Sequence, residues 1–170
     1  MAKALHQHLA VARSDDAAWD GAGRATAIID AHRTMPGAML PILHALQDEF
    51  GCVPFEVEPL IASALNVSRA EVYGVISFYH DFRREPAGRH VLKLCRAEAC
   101  QAVGATRLAD NLLDRLGLRW GGKTEDGALT VEPTFCLGLC ACGPAALYDG
   151  EPLARVDRAM LDGLVAGAAA

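Results

Sequence analysis

Cysteine spacing is the sequence feature that most constrains this chain. Four of the six cysteines fall into two close pairs, Cys95-x4-Cys100 and Cys136-x3-Cys140. Each pair directly follows a short apolar stretch that predicts a β-strand, residues 90–95 and 129–135. If these strands are neighbours, both pairs lie at the same edge of one sheet. Two loops with two thiolates each can then hold a cluster of two irons bridged by sulfide, with one loop on each iron.

Other uses of clustered cysteines fit this spacing less well. Four-cysteine zinc sites most often contain C-x2-C, which neither pair has, although spacings of up to four residues occur. A dithiol enzyme needs C-x-x-C at the start of a helix, and the nearest spacing here is Cys140-x-Cys142. A Rieske centre needs two histidine ligands, and no Cys-x-His pair is present. Buried thiols with a purely structural role are the remaining alternative, and the favoured interpretation for Cys52.

Composition limits the compartment and the partners. The chain has 170 residues, 52% of them hydrophobic, and no apolar run long enough to cross a membrane. Its N-terminal residues contain no continuous apolar segment, so we expect no secretory signal, no direct membrane insertion and a cytoplasmic protein with reduced thiols. The net charge is −5 and no basic stripe occurs, which argues against a nucleic-acid partner.

The first half of the chain predicts a small helical bundle. After a flexible tail over residues 1–20, helical periodicity recurs between residues 21 and 85. Ser68 and Glu71 have the spacing of a capping box, in which each side chain accepts a hydrogen bond from a free amide of the first helical turn. The predicted helices cover about residues 22–34, 39–50, 56–65 and 69–79.

The pattern changes after Pro86-Ala-Gly88. Between residues 88 and 166 the order is strand, helix, strand, hairpin and helix, with Asp149-Gly150 as the hairpin turn. This compact α/β order resembles the thioredoxin class. We therefore expect an α+β protein, in which an N-terminal helical bundle is followed by a thioredoxin-like α/β domain. The predicted elements of that domain are a strand at 90–95, a helix at 101–116, a strand at 129–135, hairpin strands at 145–148 and 152–156, and a helix at 158–165.

No catalytic apparatus is evident elsewhere. Residues 117–124 formally match the phosphate-binding pattern G-x4-G-K-[ST], but a phosphate loop must follow a strand and open a helix. This segment follows a predicted helix, so we interpret the match as accidental. No Ser/His/Asp set or close pair of carboxylates is visible, and we expect no catalysis from the isolated chain.

Three segments together resemble a known family over about residues 24–160. They are Leu43-His-Ala-Leu-Gln-Asp-Glu-Phe-Gly51, Val72-Tyr-Gly-Val-Ile-Ser-Phe-Tyr79 and the C-x4-C…C-x3-C set. The family is the thioredoxin-like [2Fe–2S] subunit shared by respiratory complex I and soluble NAD-linked dehydrogenases. Within it, the loops 95–100 and 136–144 are most similar to the gamma subunit of NAD-dependent, molybdenum-containing formate dehydrogenase.

The resemblance implies one [2Fe–2S] cluster held by Cys95, Cys100, Cys136 and Cys140. Outer contacts are expected from the residues around these ligands, namely Arg96, Gly138, Cys142 and Gly143. Hydrogen bonds from such neighbours to the sulfurs help to set a cluster's potential.

The resemblance also implies partners and an activity. The partners are a beta-type subunit that carries FMN, handles NADH and holds further iron–sulfur clusters, and an alpha-type subunit that carries molybdopterin. The expected function is electron transfer within a complex that converts formate and NAD+ to CO2 and NADH. The alternatives are the corresponding subunit of respiratory complex I, which is an NADH:quinone oxidoreductase, or of an NAD-linked hydrogenase.

Overall fold

The computed structural model describes residues 19–169. The expected tail over residues 1–20 lies outside this range except for its last two residues. The described chain divides into two compact units. One contains the residues up to Leu46 together with Pro54–Phe82, and the other contains Gln47–Val53 together with the residues from Arg83 onward. The expected domain limits, 21–85 and 88–166, stay a prediction.

Helices make up the first unit, as predicted. They are α1 (Ala22–His32), α2 (Met39–Phe50, whose last residues belong to the second unit), α3 (Val57–Leu65) and α4 (Arg69–Phe78). α1 and α4 both pack against α3. Their buried positions recur at helical spacing because one face of each helix is apolar. The fully buried large side chains are Ile42, Leu43, Leu46, Val57, Ile61 and Val72.

The predicted capping box at the start of α4 is confirmed. The Glu71 amide donates to Ser68 Oγ over 3.2 Å, and the Ser68 amide donates to Glu71 Oε2 over 2.8 Å. α3 ends just before Asn66, whose φ of 53° stops the helix. The short connection between α3 and α4 is therefore fixed by local sequence at both ends.

A four-stranded sheet forms the centre of the second unit. Its strands are β1 (His90–Cys95), β2 (Leu129–Thr134), β3 (Ala146–Tyr148) and β4 (Glu151–Leu153), in the order β2-β1-β3-β4. β1 and β2 are parallel, and the other neighbours are antiparallel. The helices of this unit are α5 (Glu98–Ala102), α6 (Ala105–Leu116) and α7 (Arg158–Ala168). This mixture of helices and one small sheet confirms the expected thioredoxin-like α+β fold.

Side chains of β1, β2, α6 and α7 share one core. Alternate residues of the strands point into it, as the period of two requires. The largest fully buried members are Leu92, Leu112, Leu129, Val131 and Leu161.

The structure corrects the predicted helix over residues 101–116. The segment forms two helices, because Gly104 has a φ of +95°, which interrupts helical geometry. The new short helix α5 begins at Glu98, before the predicted start, and Cys100 lies on it. The spacing of apolar residues did not reveal this break, since Val103 fits the apolar face of one continuous helix.

Two turn segments complete the second unit. The hairpin loop is the two-residue Asp149-Gly150 turn, with φ of 50° and 88°, as a type I′ turn requires. The segment with the phosphate-loop pattern leaves α6 at Gly117 and folds back along β2, where the Gly121 amide donates to the Val131 carbonyl over 2.8 Å. No helix begins there. Among residues 19–169, no helix is long and apolar enough to span a membrane.

Candidate iron–sulfur site

Parallel pairing of β1 and β2 brings the two cysteine loops together. The register pairs Cys95, the last residue of β1, with Thr134, the last residue of β2. Beyond the strands, the Arg96 amide donates to the Thr134 carbonyl over 2.8 Å, and the Cys95 amide donates to the Ala145 carbonyl over 3.0 Å. The loops that carry both cysteine pairs therefore start at the same edge of the sheet, as the sequence predicted.

Cys95 and Cys100 form a buried pair. Their exposed fractions are 3% and 2%. Helix α5 turns the chain back so that the Cys100 thiol is hydrogen-bonded to the Cys95 thiol. A small apolar cluster surrounds them, made of Ala105 and Ala145 with partly buried side chains from the second loop, Leu137 and Leu139.

Cys136 and Cys140 form an exposed pair. Both residues are exposed, and their Sγ atoms lie 3.9 Å apart. Positive φ values of 49° at Cys136 and 78° at Gly138 fold the loop back on itself. A single 3-10 turn, Cys140–Cys142, follows. Backbone conformation thus brings together two thiols that sequence separates by three residues.

The thiols influence one another's protonation. Burial raises the pKa of Cys95, but hydrogen bonds from the Cys100 thiol and from the amides of Ala97, Cys136 and Leu137 outweigh it, and the net pKa is lowered. Burial and the bond to Cys95 raise the pKa of Cys100. The hydrogen bond and charge of Cys136 raise the pKa of Cys140. Cys95 Sγ accepts hydrogen bonds from amides of both loops, and these bonds stabilise its thiolate, which is the form that binds metal.

The donor set is compatible with a two-iron cluster. The thiols are arranged as two pairs, one buried and one exposed, on loops that leave the same ends of two parallel strands. Pairs are what a [2Fe–2S] cluster uses, because each iron takes two thiolates. Gly143 leaves room for this arrangement, since a Cβ there would lie 3.4 Å from Cys100 Sγ and 3.1 Å from Val103 Cγ2.

The outer residues take different positions around the pairs. The Arg96 guanidinium carbon lies 5.1 Å from the centroid of the Trp120 ring, and the Arg96 carbonyl accepts a 2.6 Å hydrogen bond from Gln101. Cys142 is partly exposed, and its carbonyl accepts a 2.7 Å hydrogen bond from the Arg155 amide. The donation of Arg96, Gly138 and Gly143 to cluster sulfurs stays a prediction. The contacts of Trp120 and Arg155 were not predicted, because neither has a signal in the sequence.

Residues 25–169 match the sequence model of a family described as thioredoxin-like [2Fe–2S] ferredoxin. This match covers most of the chain and includes both cysteine pairs. The chain belongs to the thioredoxin-like [2Fe–2S] ferredoxin family. As a thioredoxin-like [2Fe–2S] ferredoxin it carries one such cluster, and it is an electron-transfer protein.

Several relatives of this ferredoxin are parts of larger enzymes. It is 33% identical over 111 residues to the NADP-reducing hydrogenase subunit HndA of Solidesulfovibrio fructosivorans, which is 65% of each chain. It is 37% identical over 128 residues to an NADH-quinone oxidoreductase subunit of Rhizobium meliloti, or 75% of this chain and 76% of that protein. The NADH-quinone oxidoreductase subunit 2 of Thermus thermophilus is 36% identical over 131 residues, or 76% and 72%.

A solved structure has the same fold. The crystal structure of an air-oxidised NAD+-reducing [NiFe]-hydrogenase matches 81% of this chain with a TM-score of 0.64 and 28% identity. The match takes up only 23% of the hydrogenase chain. The ferredoxin thus spans less than two thirds of HndA and under a quarter of this hydrogenase chain.

Proposed function

We propose that this ferredoxin is the electron-transfer subunit of an NAD-linked oxidoreductase complex, with Cys95, Cys100, Cys136 and Cys140 as the cluster ligands. The observation that carries the ligand assignment is the convergence of both pairs at one end of parallel strands. Amides from the Cys136 loop donate to Cys95 Sγ, which joins the two loops at one site. The domain that holds this site is proposed to extend over residues 88–166.

Each pair has a distinct task in this proposal. Cys95 and Cys100 hold one iron from inside the protein, where the surrounding apolar side chains exclude water. Cys136 and Cys140 hold the other iron at the surface, which gives a partner the shortest approach. The bound cluster supplies one-electron transfer, so that a two-electron carrier can exchange with one-electron carriers. The amides that donate to Cys95 Sγ offset negative charge there, which is one factor that sets the potential.

The partner is proposed to be a flavin-bearing, NADH-handling subunit with further iron–sulfur clusters. The names of the relatives support a link to NADH or NADP, since they belong to NADH-quinone oxidoreductases and to hydrogenases. Phe135 and Val103 are exposed apolar side chains close in sequence to the ligands, with 69% and 55% exposed. Apolar surface of this kind favours a protein partner next to the site.

We infer further that the complex is a cytoplasmic, NAD-dependent formate dehydrogenase with a molybdopterin-bearing subunit. The support is the similarity of the loops 95–100 and 136–144 to those of the gamma subunit of such enzymes. The second candidate is the corresponding subunit of respiratory complex I or of an NAD-linked hydrogenase, which the relatives favour by name.

The ligand assignment is tested on the purified full-length chain. We expect iron and acid-labile sulfide in equal amounts, visible absorption, and an EPR signal after reduction. Cys136→Ser should abolish the absorption or strongly change it, whereas the neighbouring Cys142→Ser should retain it as the matched control. A protein that contains zinc without iron or sulfide would contradict the assignment.

The nature of the complex is tested by recovering the chain from its own cells with an affinity tag and identifying the proteins that accompany it. Co-purification of a molybdopterin subunit with formate-dependent NAD+ reduction is the expected result. Recovery with membrane subunits and quinone reduction would favour complex I instead. A nickel–iron subunit would favour the hydrogenase.

A further inference from the structure

Cys136 and Cys140 are close enough to react with each other when no cluster is bound. Their Sγ atoms are 3.9 Å apart, and a disulfide requires about 2.0 Å. Both residues are exposed, so that rotation of their side chains meets little resistance. The positive φ values at Cys136 and Gly138 fold the loop back on itself.

The other thiols are less suited to the same reaction. Cys95 and Cys100 are in contact as well, but only 3% and 2% of their surfaces are exposed, and an oxidant dissolved in water cannot reach them readily. Cys52 is also buried, with 6% exposed. Cys142 is only partly exposed, and the 3-10 turn fixes its amide to the Leu139 carbonyl over 2.9 Å.

We propose that Cys136 and Cys140 are an oxidation site of the cluster-free chain, and that their disulfide blocks assembly of the cluster. The oxidant is a peroxide. One thiolate sulfur attacks the peroxide O–O bond, which leaves a sulfenic acid and releases water. The second thiol then displaces hydroxide from that sulfur, so that two thiols and one hydrogen peroxide give one disulfide and two waters. A dithiol reductant reverses the reaction by thiol–disulfide exchange.

The blocking effect follows from the shape of the site. The disulfide removes both donors of the exposed pair and leaves the buried pair reduced. An iron arriving from solvent then meets no thiolate at the surface. This half of the proposal rests on the ligand assignment under Proposed function, whereas the oxidation itself depends only on the proximity and exposure of the two thiols.

The first experiment maps the disulfide. The cluster-free full-length chain is treated with one equivalent of hydrogen peroxide without oxygen, alkylated and digested with trypsin. Trypsin separates Cys52, Cys95 and Cys100 onto different peptides and leaves Cys136, Cys140 and Cys142 together on residues 124–155. We expect this peptide to lose two hydrogens and to be alkylated only at Cys142. A link between Cys95 and Cys100, a Cys140–Cys142 link, or three free thiols would overturn the proposal.

Matched variants check the pairing. Cys142→Ser should form the disulfide at the same rate as the unchanged protein. Cys136→Ser should lose it. If Cys142→Ser abolished the disulfide, the pair would be wrongly assigned.

The second experiment follows cluster assembly. The oxidised chain receives iron and sulfide without added thiol, and samples are alkylated at intervals. We expect visible absorption to rise only as fast as the mapped disulfide disappears, and to rise at once in a sample first reduced with dithiothreitol. Absorption that rises while the disulfide persists would overturn the blocking effect and the ligand assignment together, but would leave the oxidation site standing.

Discussion

The two cysteine pairs of the site differ in burial and in the elements that carry them. Cys95 and Cys100 are buried on a strand and a short helix, among the apolar side chains that hold those elements together. Cys136 and Cys140 are exposed on a loop shaped by positive φ values. In the proposed site, the first pair would therefore serve both packing and ligation, whereas the second would serve mainly ligation. A change at either pair should abolish the cluster, but only a change at the buried pair should also destabilise the protein.

The largest expected contrast comes from serine substitutions measured on the cluster-free chain. Cys100→Ser places a hydroxyl in an apolar site and should lower the free energy of unfolding by about 1 to 3 kcal/mol. Cys140→Ser, at an exposed position, should leave it unchanged within the error of the measurement. Denaturant unfolding followed by circular dichroism measures both. Equal effects of the two substitutions would show that the buried pair contributes no more to stability than the exposed pair.

Gly143→Ala sharpens the same contrast without removing a thiol. The added methyl would lie 3.1 Å from Val103 Cγ2, so that the Val103 side chain must shift, and it would contact Cys100 Sγ at an ordinary distance of 3.4 Å. We expect a loss of about 1 kcal/mol in the free energy of unfolding. Gly163→Ala is the control, because that residue lies in α7 and its added methyl meets nothing within 4 Å. It should stabilise the helix by about 0.5 to 1 kcal/mol.

Glu132→Gln tests how much the charge of Glu132, on one of the two strands that lead to the cysteine pairs, stabilises the protein. Glu132 on β2 accepts hydrogen bonds of 2.7 and 3.0 Å from Arg83 and lies 3.7 Å from Lys93 on β1. Removing its charge should cost about 1 kcal/mol, since the group is only partly buried. Thermal unfolding at low and high salt provides the measurement. A cost that stays unchanged in high salt would contradict an electrostatic origin.

The smallest effect on stability is expected from Asp149, which contacts the end of β1 opposite to Cys95. Asp149 accepts hydrogen bonds from His90 Nδ1 over 2.6 Å and from the Val91 amide over 2.8 Å. Burial raises the pKa of Asp149, but these bonds and the charge of His90 outweigh it and lower the net pKa. The carboxylate therefore contributes stability above its unfolded pKa of about 3.9, and this contribution is lost as pH falls through the lower folded pKa.

Asp149→Asn is the matched variant, because asparagine tolerates the positive φ at this position. At pH 7 it should cost about 0.5 kcal/mol or less, as the group is substantially exposed. The difference from the unchanged protein should vanish as pH falls below the folded pKa of Asp149. A difference that grows at low pH would contradict a lowered pKa in the folded protein. Visible absorption of the cluster should be the same in both proteins.

Local sequence signals predicted the elements well. The capping box at Ser68, the turn at Asp149-Gly150 and the bounds of α2 and β1 depend on neighbouring residues, and each is found where the sequence placed it. The break at Gly104 was missed, because an isolated glycine inside an apolar period does not show whether it adopts a positive φ.

The site itself was predictable in outline only. Adjacent strands followed by paired cysteines indicated one common edge, since parallel neighbours end on the same side. The unequal burial of the pairs was not predictable, because it depends on Leu137 and Leu139 of one loop packing over the cysteines of the other. The position of the Arg96 guanidinium over Trp120 was also missed, since 23 residues separate the two in sequence.

Residues 47–53 limit where this chain can be truncated or recombined with a relative. They belong to the second unit, where the Val53 amide donates to the Arg83 carbonyl over 2.7 Å and the Arg83 amide donates to the Gln47 side chain over 2.7 Å. A gene fragment that begins at residue 88 would omit this segment together with Arg83, which donates hydrogen bonds to Glu132. Exchange of modules between relatives at a single junction between residues 53 and 83 would likewise divide the unit that carries both cysteine pairs. A transplant that moves this unit alone needs three junctions, before Gln47, after Val53 and before Arg83.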